Sequence, residues 1–265
     1  MLRTSSRKQR MANDVVLIHG AFCGGWCFAD LMPIFGTRGW SCEAPDLPFH
    51  VPGPTRPPDP QLAHQSIADY TRDMAAFVRR YPKPPIIVGH SMGALIAQQL
   101  AAQGLARALV LLAPGAPWGI LPSTQAEMAL AKGLMQAAPF WDKALNPSFE
   151  VAKGDSLASL APEAQRRVFD MFSAESGRAL FELFFWMFDL NRTTAVDAAK
   201  VTCPVLVVSG SDDKVISPVT GRKVAGLYAH ATFEEAAGRG HFLIMEEGAG
   251  QFAGRCADWM AAVTK

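Results

Sequence analysis

The sequence predicts an α/β fold, a mostly parallel sheet of about six strands with helices on both faces. Three observations predict it. Short apolar runs, Val15–Ile18, Ile86–Val88, Ala108–Ala113 and Val205–Ser209 among them, read as strands, and none of the six strands is expected to have a wet face, as in a sheet covered on both sides. Between them lie longer segments with apolar residues at helical spacing, so strand and helix alternate. The rhythm breaks over residues 118–202, which hold helical segments and no convincing strand. That stretch reads as a helical insertion into a core made of 13–117 and 203–265.

Composition narrows the function classes. With 265 residues, 49% hydrophobic and 18% charged, the chain can bury a large core. A net charge of +1 and no basic stripe exclude an electrostatic case for nucleic acid or an anionic membrane, leaving a small molecule as the expected substrate. No apolar run approaches the roughly 20 residues of a membrane helix, and Met1 to Ala12 carries Arg3, Arg7, Lys8 and Arg10 without a hydrophobic stretch behind them. The expectation is a cytoplasmic protein with residues 1–12 as a disordered tail; a homodimer is compatible with it. Five cysteines, Cys23, Cys27, Cys42, Cys203 and Cys256, form no disulfide framework. Cys23 and Cys27 lack the further ligands of a metal site, so no metal or other cofactor is expected.

Taken in order, Val15–Ile18 is a strand that opens at His19-Gly20 into a loop, Ala21 to Gly25. Trp26 to Arg38 reads as one helix stopped by Gly39, and Trp40 to Ala44 as a second strand. Six prolines between Leu47 and Pro60 exclude regular structure there. Ser66 can cap a helix running to Arg80, with Ile67, Tyr70, Met74, Phe77 and Val78 on one face. After the insertion and the strand Val205–Ser209, Pro218 to Tyr228 reads as a helix, Thr232 to Ala236 as a last strand and Gly248 to Val263 as a closing amphipathic helix.

The chemistry gathers at Gly89-His90-Ser91-Met92-Gly93, between the strand Ile86–Val88 and a proline-free helix, Met92 to Ala102. A strand that turns into a helix so abruptly strains the residue at the turn, and flanking glycines remove the side chains that would block it. Ser91 is thereby presented at the helix N-terminus, where unpaired N–H groups favour a developing oxyanion. A serine nucleophile needs a base, itself oriented by a carboxylate. In a parallel sheet these partners should sit past the strands' carboxyl ends. His19 and His90 flank glycine turns and read as braces, whereas His241 follows the last strand in Gly238-Arg239-Gly240-His241 and is the expected base, with His50 on the proline loop the fallback. The strand Val205–Ser209 ends in Gly210-Ser211-Asp212-Asp213, which offers Asp212 or Asp213 as the carboxylate.

His19-Gly20, Gly89-His90-Ser91-Met92-Gly93, the Gly-x-x-Asp spacing and Gly240-His241, in that order from Val15 onward, resemble the α/β-hydrolase superfamily. The segment His19 to Phe28 is similar to the branch with plant methylesterases and hydroxynitrile lyases. The resemblance implies Ser91, Asp213 and His241 as the triad, in the family's order. It also implies an oxyanion hole made of the Met92 N–H and that of Ala21, with Phe22 the alternative, and a helical cap in residues 118–202. Two positions depart from the pattern: Ala94 stands where a third elbow glycine is frequent, and Phe242 stands where the lyases have lysine. The aromatic run from Phe181 to Phe188 then suggests an apolar roof, with Phe22, Trp186 and Met187 as pocket residues. The expected activity is hydrolysis of a carboxylic ester or lactone with an apolar acyl or alcohol part. Carbon–carbon bond hydrolysis is the alternative within the fold, and a non-catalytic ligand-binding protein the alternative outside catalysis.

Overall fold

The computed structural model describes residues 13–264; the tail expected in residues 1–12 lies outside them. Six parallel strands form the central sheet: β1 (Asp14–Ile18), β2 (Ser41–Glu43), β3 (Ile86–His90), β4 (Ala108–Leu112), β7 (Val205–Gly210) and β8 (Ala231–Ala236), in the spatial order β2-β1-β3-β4-β7-β8. Every neighbouring pair in it is parallel. The alternation of side chains along a strand sorts residues between two cores. Val15, Leu17, Ile86, Val88, Val110 and Val208 face one side, packed against α1 (Leu31–Thr37) and the closing helix α9 (Ala249–Val263). Val16, Ile18, Ile87, Leu109, Leu111 and Val207 face the other, under α2 (Ile67–Val78), α3 (Met92–Ala102) and α8 (Pro218–Ala225).

The two edge strands correct the expectation that no strand has a wet face. β2 and β8 are only partly buried, because each pairs on one side only. β8 uses this to carry charge: Glu234 pairs with Arg255 of α9 and Glu235 with Arg222 of α8, so the alternation sends one acid to each covering helix. Charged edges also discourage edge-to-edge pairing with other chains.

The single helix expected over Trp26 to Arg38 is divided. A 3-10 turn, Gly25–Phe28, is followed by α1 starting at Leu31. Pro33 has no N–H to give and is tolerated only in a helix's first turn, so the helix restarts just ahead of it. The α2 helix is shorter than expected but begins as Ser66 suggests, with a capping box in which Ser66 and Asp69 satisfy each other's backbone N–H.

Between β4 and β7 run α4 (Gln125–Gln136), α5 (Phe149–Gly154), α6 (Pro162–Asp170) and α7 (Gly177–Phe184). The expectation of no strand here needs correction. Residues Ala144–Leu145 (β5) and Glu175–Ser176 (β6) pair antiparallel, a ribbon too short to leave a periodic trace in sequence. The insertion is tied to the core by Glu127 of α4. Its carboxylate accepts from Thr124 N–H in the capping box and from the buried Ser217 N–H, 2.8 Å away, at the start of α8. Burial works to raise this carboxyl's pKa, but the hydrogen bonds from Ser217, Ser123, Thr220 and Thr124 hold it below the ordinary glutamate value.

A carboxyl held low contributes stability above its unfolded pKa, about 4.3, and loses it as pH falls through the folded value. Glu127→Ala should cost about 1–3 kcal/mol for the stranded Ser217 N–H alone. Urea midpoints should show the gap between wild type and Glu127→Gln narrowing once the pH drops below about 4.3.

Candidate active site

The β3 strand enters α3 through Ser91, whose φ of 52° and ψ of −121° place a non-glycine residue in a sparsely populated region. The surroundings over-determine that turn. Ser91 N–H donates to Leu112 C=O, and its own C=O accepts from Ala94 and Gly115. The glycines on either side are required by close approach. A Cβ at Gly93 would lie 2.1 Å from the Ile18 carbonyl oxygen, and one at Gly89 would lie 2.5 Å from Ala94 Cα. α3 is thus pressed against the end of β1, with Ser91 between them.

His241 follows β8 on the loop closed by Gly238, and its Nε2 lies 3.1 Å from Ser91 Oγ. Its Nδ1 lies 2.9 Å from Asp213 Oδ2. A carboxylate only accepts, so Nδ1 carries the proton and the Nε2 lone pair faces the serine hydroxyl. Asp213 Oδ1 accepts from Val215 and Ile216 N–H, which fixes the carboxylate's direction. Asp212 is turned away: its carboxylate accepts from Ser211 Oγ at the surface, while its N–H donates to Arg239 C=O and joins the two loops. All three side chains of the Ser91–His241–Asp213 chain are buried.

The other histidines occupy separate positions. His90 at the end of β3 donates from Nε2 to the His241 carbonyl at 2.8 Å, and so holds the His241 backbone. His19 donates from Nδ1 to Gly20 C=O and accepts the Leu47 N–H at Nε2. Burial lowers both to about 3, so each stays neutral at working pH. His50 lies against Glu175, 2.9 Å from its Oε2.

On the loop after β1, the Phe22 N–H donates to Glu175 Oε2 at 3.3 Å and the Cys23 N–H to Gly20 C=O. Of the three amides from Ala21 to Cys23, two thus have partners within the protein. Of the pocket residues read from the sequence, Phe22 packs with Ala21 against Phe140, Leu180 and Phe185 of the insertion. Trp186 instead meets Trp118 edge to face, and Met187 is 45% exposed. The aromatic run in the sequence located the right segment. It could not say which members turn inward, because α7 ends at Phe184 and the following turn rotates Met187 and Phe188 outward. Phe140 and Glu175 lie outside that run and left no sequence signal. Among the described residues, no group of three or more His, Cys, Asp or Glu side chains is arranged to hold a metal ion.

A parallel sheet with a strained serine elbow at the end of a central strand, and an acid and a histidine beyond later strands, defines a protein of the α/β-hydrolase type. Residues 15–255 match the alpha/beta hydrolase family, and the chain belongs to it. Over 83 residues it is 37% identical to a pyrethroid hydrolase of Sphingobium wenxiniae, a match that spans 30% of this chain and 27% of that protein. Among solved structures, a monoacylglycerol lipase from Paleococcus ferrophilus superposes with a TM-score of 0.69 at 22% identity, over 94% of each chain. A methylesterase from Arabidopsis does so with a TM-score of 0.68 at 16% identity, over 95% of this chain and 99% of the other. At these identities the two structures share the fold. No helix among the described residues is long and apolar enough to cross a membrane.

The elbow's tightness is testable by one substitution made at two glycines. Gly93→Ala drives a methyl into the Ile18 carbonyl and should destabilise by about 1–3 kcal/mol or more. Gly133→Ala, on α4 with nothing within 4 Å of the added carbon, should stabilise by about 0.5–1 kcal/mol. Thermal melting of both variants reads the opposite signs.

Proposed function

We propose that the protein is a serine hydrolase that cleaves a carboxylic ester or lactone with an apolar acyl or alcohol part through an acyl-enzyme. The observation that carries the reading is the continuous hydrogen-bonded line from Ser91 Oγ through the His241 ring to Asp213, set on a strained elbow at a helix N-terminus. Ser91 Oγ attacks the ester carbonyl as its proton passes to His241 Nε2. The imidazolium so formed is stabilised and oriented by Asp213. His241 then gives that proton to the departing alkoxide. A water, deprotonated in turn by His241, attacks the acyl carbon, and the second tetrahedral intermediate collapses to the carboxylic acid as His241 returns that proton to Ser91 Oγ.

The oxyanion of each tetrahedral intermediate is taken by the N–H groups of Met92, first in α3, and Ala21. Commitment of the Phe22 amide to Glu175 favours Ala21 over Phe22 as the second donor. Residues 118–202 serve as the cap, and the apolar cluster of Phe140, Leu180 and Phe185 against Ala21 and Phe22 supports an apolar substrate portion. The names of the relatives, a pyrethroid hydrolase, a lipase and a methylesterase, agree with ester chemistry.

Turnover of short p-nitrophenyl esters should be abolished by Ser91→Ala, and a fluorophosphonate probe should label wild type at Ser91. A folded sample that takes no label overturns the reading. Asp213→Asn should cut kcat by about 10³–10⁴ through loss of the correct tautomer, whereas Asp212→Asn should leave kcat essentially unchanged. Steady-state kinetics on the two variants decides which aspartate serves His241.

A further inference from the structure

Phe22 is held at φ 63°, a left-handed conformation that a bulky side chain adopts only when its surroundings impose it. The constraint comes from the insertion. The Phe22 N–H donates to Glu175 Oε2, the Phe22 carbonyl accepts from Ser173 N–H at 2.9 Å, and the Cys23 carbonyl accepts from Ser173 Oγ at 3.3 Å. Three hydrogen bonds from one short segment thus grip the loop that follows β1.

Glu175 is fully buried, and its carboxylate also accepts from Tyr70 OH at 2.8 Å, Ser176 N–H at 2.7 Å and His50 Nε2 at 2.9 Å. His50 Nδ1 lies 3.0 Å from the Pro48 carbonyl, which can only accept. Both ring nitrogens therefore donate, and His50 is the imidazolium partner of an ionised Glu175. Burial works to lower the His50 pKa, but the Glu175 carboxylate outweighs it and raises it. The ion pair by itself offsets little more than the desolvation of its two charges, so what the carboxylate contributes is the set of donors it satisfies, the Phe22 N–H among them. A lone anion beside the oxyanion loop would oppose the negative charge of the transition state, and His50 cancels it.

We propose that Glu175 is a positioning residue for the oxyanion hole, its buried carboxylate holding the Phe22 amide so that the adjacent Ala21 N–H is left for the developing oxyanion. The proposal rests on the serine-hydrolase reading above and adds that the insertion assembles the hole as well as covering it. Glu175 touches no reacting atom; its effect passes through the loop backbone.

The test compares wild type, Glu175→Gln, Glu175→Ala and Tyr70→Phe on one p-nitrophenyl ester. It also measures inhibition by a matched trifluoromethyl ketone, whose hemiketal oxyanion occupies the hole. Removing a single oxyanion donor costs about 10²–10³ in kcat, and both Glu175 variants should lose on the order of 10² with KM little changed. Ketone inhibition should weaken in step. Tyr70→Phe removes a hydrogen bond from the same carboxylate without touching Phe22, and should lower the melting temperature while keeping kcat near wild type. A folded Glu175 variant with wild-type kcat overturns the proposal, as does a loss of kcat that follows melting temperature across all three variants. Should the Glu175 variants fail to fold, amide exchange in wild type decides: a protected Phe22 N–H supports the proposal, and exchange at the rate of an exposed amide overturns it. Fluorophosphonate labelling of wild type at Ser91, run first, separates the two readings. Absence of label fails the hydrolase assignment itself, while normal labelling with an indifferent Glu175 fails only the positioning role.

Discussion

The turn at Ser91 is the constraint to which the rest of the structure answers. A central strand must become a helix across one residue, and the backbone can do so only at a positive φ that a serine would not adopt unaided. The strain is met by neighbours fixed elsewhere. β4 and its continuation bond both sides of the Ser91 peptide, and β1 lies so close to α3 that only hydrogen fits at Gly93. The parallel sheet follows from the same need. Its interior strands are buried on both faces, which makes them rigid enough to hold the turn, and the carboxyl ends of β7 and of the edge strand β8 carry the loops of Asp213 and His241 to it.

Around that fixed point the loops stabilise one another. Asp212 N–H binds the Arg239 carbonyl and His90 Nε2 binds the His241 carbonyl, so the loop of Asp213, the end of β3 and the loop of His241 are linked to one another, and Gly240 N–H, bound to Glu246 Oε1 at 2.8 Å, steadies the last of them. Residues 118–202 add attachments of their own, among them Glu127 to the start of α8 and the Ser173–Glu175 segment to the loop after β1. Both use carboxylates fully engaged by donors, the condition under which burying a charge is tolerated. Residues 118–202 are therefore coupled to the core at the start of α8 and at the loop after β1.

The sequence by itself determined the class of fold, the elbow and the order of the strand-end residues. These rest on local rules: period-two burial sorts Val15 and Val16 to opposite cores, Gly-x-Ser-x-Gly between an apolar run and a helix permits only a sharp turn, and a capping box begins α2 at Ser66. Each is decided within a few residues, so each is written in the chain. Where the local rule was applied incompletely the boundary moved, as at Pro33, which divides the helix assigned to Trp26–Arg38. The tertiary structure alone decided which aromatic residues meet the loop after β1, that Met187 and Trp186 face elsewhere, and that His50 and Glu175 form a buried pair. Phe22 and Glu175 are 153 positions apart and Tyr70 and Glu175 are 105 apart. A contact across such a distance has no period and no motif. It is made by the way residues 118–202 settle on the sheet, and a single carboxylate in a stretch with no periodic strand signal looks the same in sequence whether it faces water or the loop after β1.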